Sequence, residues 1–322
     1  MSRPQTGTHA GPAHTHPAAG WAAAARRSVR EFKEDNLQDR AAALTYYGIL
    51  SIFPALLVLV SLLGLLGKSA TQPVITGLTK AAPASVRQTV LTAMDHLQHS
   101  HAAAGILAAA GIAAGLWSAS GYVAAFMRAS NVIYDVPEGR PLWKTTPVRL
   151  AVTLVMLVLL VASALIVVVT GALAARAGHA LGIGPAAVTA WDIAKWPVLV
   201  IMVSVMFAIL YWASPNARHG FRLVSPGSVL AVVLWLIASG LFGLYVAHFG
   251  SYNKVYGSLA AVIIFLIWMW ISNIAVLIGA EFNAELERGR AIASGLPPGQ
   301  EPFTELRDTR KLRNNARRAP AA

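Results

Sequence analysis

Six times between Ala41 and Ala280 the sequence enters an apolar stretch of helix length, and none of the six holds Asp, Glu, Lys or Arg in its interior. About 20 apolar residues let a helix cross a hydrocarbon layer about 30 Å thick. The stretches lie at about 41–67, 101–127, 150–173, 196–213, 228–249 and 256–280. Lipid offers backbone groups no partner, so each run must satisfy its own donors and acceptors as a helix. The expected fold is all-α, a polytopic membrane protein whose six transmembrane helices form a bundle over residues 40–286. Residues 1–39, rich at their start in Ala, Pro, Gly and His, read as a mostly disordered tail. Residues 287–322 read as a basic tail, also largely disordered.

Composition agrees with this reading: 12% of the chain is charged and 56% hydrophobic, whereas a soluble domain carries roughly 25% charge. The chain has no cysteine, which excludes a disulfide framework and a thiolate metal site. Its net charge of +12 lies largely in the two tails. Of the 26 Lys and Arg, those on one side of the bundle are Lys68, Lys80, Arg87, Arg176, Lys195 and Lys254. The rest flank the other side, which the positive-inside rule makes cytoplasmic, with both chain ends there.

Within the first stretch, LTYYGILSIFPALLVLV carries a proline that removes the bond to the Leu50 carbonyl. Neighbouring helices tolerate such a break in a bilayer, so Pro54 is expected to kink the helix, as a structural bend or as a hinge. Tyr46 and Tyr47 are placed as interface anchors. In the loop that follows, Val86, Val90, Met94 and Leu97 recur at near-helical spacing and predict an amphipathic helix on the outer surface. His96, His99 and His101 nearby are weak metal candidates, their spacing matching no zinc site; a solvated polar face is the simpler reading. No metal or other cofactor is expected.

Small and uncharged polar residues mark the helix faces. Gly111, Gly115 and Ala119 form a stripe for close helix approach, and Ser239 and Gly243 a second. Candidates for a substrate path or gate are Tyr46, Pro54, Ser118, Ser120, Tyr122, Arg128, Asn131, Asn216, Asn273 and Glu281 on the cytoplasmic side and interior. Tyr252, Asn253, Lys254 and Tyr256 are the candidates outside. A buried Asn273 reads as an interhelical hydrogen bond or as a polar point on such a path. Arg128 and Glu281 either pair across the bundle or snorkel separately to water.

Four ordered motifs carry a family resemblance: AAALTYYGILSIFPALL, GLWSASGYVAAFMRASNVIYDV, YWASPNARHGFRLVSPGSVLAVVLW and FGSYNKVYGSLAAVIIFLIWMWISNIAVLIGAEFNAEL. Together they resemble the YihY/BrkB family of bacterial inner-membrane proteins over about Arg40 to Leu286. The resemblance implies residence in the inner membrane and a role in the envelope, under labels that include a virulence factor, ribonuclease BN and lipid transport. The nuclease label finds no support in the residues: the 14 acidic side chains are scattered and no clustered His and carboxylate motif is present. The chain is expected not to be an enzyme and not to bind nucleic acid. Two readings remain. One is transport of a lipid or other amphipathic substrate between membrane leaflets, and the other is a scaffold or assembly factor that binds envelope proteins. Membrane lipids are partners in both.

Overall fold

In a computed structural model, the described residues are 17–65, 103–168, 185–248 and 258–318. They form eight helices: α1 (Pro17–Glu34), α2 (Leu37–Leu65), α3 (Ala103–Ile133), α4 (Leu142–Val168), α5 (Pro185–Ala213), α6 (Pro226–His248), α7 (Ser258–Ala293) and α8 (Arg310–Arg318). Among the described residues the only extended pairing is an isolated antiparallel bridge between Ala217 and Leu306.

Helices α2 to α7 pack in sequence order around a ring, which α7 closes by returning to α2. The tightest neighbours are α2 with α3 and α6 with α7. Four of the helices, α4 to α7, are long and apolar enough to cross a membrane. On their outer faces Leu154, Val158, Ile201, Val233, Leu244 and Val262 are exposed, the inverse of a soluble surface and the arrangement expected where lipid is the solvent. α2 runs through Pro54 without a break in its assignment.

The densest packing lies at the end of the ring where α3 ends and α4 begins, around Leu37, Leu44, Phe126, Tyr211 and Leu277. Phe126 stacks on Tyr211 at 6.2 Å between ring centroids. Here α6 starts with a reciprocal cap: Ser225 Oγ accepts from the Ser228 backbone N–H at 3.1 Å, and Ser228 Oγ accepts from that of Ser225 at 3.0 Å. Asn283 of α7 reinforces it, accepting from the Gly227 N–H at 2.8 Å and donating to Ser225 Oγ at 2.8 Å.

Two segments expected to be disordered are built into this end. Pro17 opens α1, a position its missing N–H suits, and the helix packs Ala24 against α7. Trp21 meets Phe282 edge to face at 6.1 Å, and the Arg27 guanidinium pairs with the buried Glu285 carboxylate. Composition alone hid this, because α1 is polar on one side and becomes stable only against its partner helix. Likewise α7 continues to Ala293, and the chain beyond it folds back: Arg218 N–H donates to the Glu305 carbonyl and Arg307 N–H to that of Asn216, both at 2.8 Å. Residues 1–16 and 319–322 lie outside the described residues, as does the outer loop with its expected amphipathic helix.

The close-approach stripes are only partly as expected. Gly115 and Ala119 are buried, and Ser239 accepts a hydrogen bond from Trp268 Nε1 at 3.2 Å. Gly243 faces open space, with nothing within 4 Å of where a Cβ would sit. The backbone contact of α6 is made instead by Gly227, against Gly279 of α7. The surroundings of Gly111 lie outside the described side chains.

Candidate functional site

All six ring helices contribute to one open-sided cavity of about 480 Å³, within the range of ordinary ligand sites. Its wall is mainly apolar: Val123 of α3, Met156 and Leu157 of α4, Val203, Met206 and Phe207 of α5, and Val276 of α7. Bulky apolar residues on helices joined only loosely, such as α4 to α5 and α5 to α6, leave this space unfilled.

Polar groups on the wall are already engaged. Tyr122 Oη donates to Asn273 Oδ1 at 2.8 Å, Asn273 Nδ2 donates to Thr45 Oγ1 at 3.0 Å, and Thr45 in turn donates to the Ala41 carbonyl at 2.8 Å. This relay joins α3, α7 and α2. Ser51 Oγ bonds the Tyr47 and Ala119 carbonyls, Ser272 that of Trp268, and Thr153 that of Arg149. With its hydroxyls turned back onto helix carbonyls, the wall offers a ligand mostly hydrocarbon.

Two arginines stand beside the cavity. Arg149 precedes the cavity-lining Thr153 by one turn, and its guanidinium lies 4.4 Å from the centre of the Trp117 ring. Its Nε and Nη2 are buried and have no hydrogen-bond acceptor among the described residues. Arg128 is exposed and lies over the ring of Tyr47, at 5.3 Å, next to the cavity-lining Gly48. It is near enough for its charge to act on Arg149.

Of the two alternatives for Arg128 and Glu281, pairing across the bundle is not seen among the described residues. Glu281 is 1% exposed and its Oε2 has no hydrogen-bond partner, while Arg128 is held by an aromatic face that sequence spacing could not reveal. Tyr46 is exposed and meets Tyr47 edge to face at 5.4 Å. Pro54 is half-buried in α2, Ser118 is exposed, and the buried Ser120 hydroxyl donates to the Trp117 carbonyl. Tyr252, Asn253, Lys254, Tyr256, His96, His99 and His101 lie outside the described residues. Among the described residues no group of three His, Cys, Asp or Glu is placed to hold a metal ion.

Asn131 and Asn216 come together, away from the cavity. Asn131 Oδ1 accepts from the Asn216 N–H at 2.7 Å, and Asn131 Nδ2 donates to Glu138 at 2.9 Å. Asn216 Nδ2 donates to the Pro137 and Asp308 carbonyls, at 3.0 and 2.9 Å, and its Oδ1 accepts from the Asp308 N–H at 3.1 Å. These bonds close three chain segments on one another and are structural. Burial works to raise the Glu138 carboxyl, but hydrogen bonds from Arg140 and Asn131 prevail and hold it below its ordinary range. Lys144, bonded to Asp308 at 2.5 Å, holds that carboxyl down as well. His219 stacks on Tyr134 at 5.4 Å, and burial, then the Arg307 charge, pushes its imidazole down to about 4.

Comparison with known proteins places this arrangement among relatives. The family model described as virulence factor BrkB matches residues 28–302. A ribonuclease-like protein, YfkH, of Bacillus subtilis (strain 168) is 30% identical over 266 residues, covering 83% of this chain and 94% of its own. UPF0761 membrane proteins of Ralstonia nicotianae and Alkalilimnicola ehrlichii are 30% and 32% identical, over 81% and 83% of this chain. The chain spans only 58% and 60% of the length of those two. No solved structure matches.

Proposed function

The chain belongs to the virulence factor BrkB family of membrane proteins, and from that premise we propose that it moves a lipid or similar amphipathic substrate between the leaflets of the inner membrane. In this reading α2 to α7 each span the bilayer, and the basic end of the ring, where both α1 and the segment after α7 dock, faces the cytoplasm.

The observation that carries the proposal is the cavity. It lies within the ring, is walled by hydrocarbon, and has its own hydroxyls satisfied, so an acyl chain can enter without stripping water from unpaired groups. The outward faces of α4, α5 and α6 are apolar as well, so these helices present hydrocarbon to an acyl chain on both their outer and inner sides. The name of YfkH brings no residue set with it, and no hydrolytic step is proposed here.

The test is reconstitution. Vesicles containing the full chain should move a fluorescent phospholipid from the inner to the outer leaflet, read as the fraction accessible to dithionite. Met206→Trp, which intrudes on the cavity, should slow the movement while circular dichroism shows the helices intact. Movement no faster than in protein-free vesicles, or unaffected by Met206→Trp, would sink the proposal.

A further inference from the structure

We propose that the cavity and the two arginines beside it form a single binding site for an anionic phospholipid, its acyl chain in the cavity and its phosphate on Arg149 and Arg128. This rests on the cavity reading above and adds the chemical class of the headgroup.

The central observation is an incomplete partnership. A guanidinium carries five donors in a planar fork and stays charged. The Trp117 ring supports the face of Arg149, but a ring face supplies nothing to donors at the guanidinium edge, and Nε and Nη2 are buried without an acceptor. Leaving buried charged donors unmade is costly. Nε with an Nη is also the pair that grips two oxygens of one phosphate side by side.

A second positive charge stands close by. Among the described residues Arg128 has no carboxylate partner; it lies on Tyr47, and mutual repulsion with Arg149 is relieved once an anion sits between them. No described carboxylate pairs with either arginine: Glu138 is held by Arg140, Asp308 by Lys144, and Glu285 by Arg27 and Arg288, and the buried Glu281 reaches neither. A bound anion would supply the missing negative charge.

The arginines are also joined to the cavity. The Thr153 hydroxyl, on the cavity wall, is bonded to the Arg149 carbonyl, and Tyr47 beneath Arg128 directly precedes Gly48 on the wall. A charged fork one helical turn from a hydrocarbon wall suits a headgroup with an acyl chain attached better than a free, fully hydrated phosphate ion.

Binding to the detergent-purified full chain tests this, with dioleoylphosphatidylglycerol and dioleoylphosphatidylcholine titrated separately and the bound lipid counted by native mass spectrometry. Phosphatidylglycerol should bind about tenfold more tightly. Arg149→Gln and Arg128→Gln should each bring it to the level that the unaltered chain shows for phosphatidylcholine, whereas Arg310→Gln, whose guanidinium lies over Trp143, should leave the preference intact. Arg128 is exposed, so its variant reports even if the Arg149 variant fails to fold. Equal binding of the two lipids, or a preference that survives Arg128→Gln, overturns the headgroup site and leaves the cavity reading standing. Binding of neither lipid by the unaltered chain overturns both. Displacement of phosphatidylglycerol by an equal concentration of inorganic phosphate would identify a free-anion site and overturn the joint one.

Discussion

Gly227 of α6 and Gly279 of α7 hold their two helices backbone to backbone: a Cβ on Gly227 would lie 2.1 Å from the Gly279 carbonyl oxygen, and one on Gly279 would lie 2.5 Å from that of Gly227. The nearest obstructing atom is main chain in each case, and the Asn283, Ala231 and Tyr211 side chains crowd the same spots, so no single rotamer change makes room. Gly279→Ala should therefore push the helices apart at a cost of about 1–3 kcal/mol or more, read as a lower melting temperature and a smaller monodisperse fraction in detergent. Gly243→Ala on the same α6 meets open space and should leave both readouts unchanged.

Asn273 joins three helices through Tyr122 and Thr45. Asn273→Leu should cost about 1–2 kcal/mol, the worth of interhelical hydrogen bonds in membranes. In a double-mutant cycle with Tyr122→Phe the two losses should be less than additive, because both remove the same bond. Additive losses would show that the relay is not shared.

Glu285 is 2% exposed in its side chain and is held by Arg27 of α1 and Arg288 of α7. Arg27→Ala leaves a buried carboxylate short of a partner, and breaking such a pair costs about 3–5 kcal/mol. The expected result is release of α1, seen as new protease cleavage between residues 17 and 34. Adding Glu285→Gln should restore much of the protection.

Burial, and then the charge of Asp135, raises Asp35 from 3.8 to about 6. A folded pKa above the unfolded one means that the fold binds the proton more tightly, so this carboxyl favours folding in acid and loses that contribution as pH rises from about 4 through 6. Asp35→Asn should raise the melting temperature at pH 7.5 and make no difference at pH 4. A gain of equal size at both pH values would refute the assignment.

The ring was legible in the sequence because apolar length is a one-dimensional property. Helix α6 falls close to the stretch read at 228–249, while α4 begins at Leu142, α5 begins at Pro185 and α7 runs on to Ala293, beyond the stretches read at 150–173, 196–213 and 256–280, since a helix does not stop where its apolar segment does. Asn273 stands out in the sequence as a buried polar group, and it bonds Tyr122 and Thr45 on two other helices. The partner of Arg128 was not legible: an aromatic face 81 residues upstream leaves no trace in local spacing. Gly227, Gly279 and Asn283 were missed for the same reason, although a glycine shortly after a helix-starting proline, in SPGS, was a signal of close approach. Arg149 counted only as a topology charge until its buried, unmatched nitrogens were seen.

Asn216 grips Asp308 with both ends of its side-chain amide, and that grip has a consequence for the order of assembly. A ribosome delivers the chain from its N-terminus, so helices α2 to α7 have emerged before Asp308 exists. Until then the Asn216 amide lacks the peptide groups that it grips. The ring is thus made first and latched afterwards, by a clasp that lies downstream of all six of its helices.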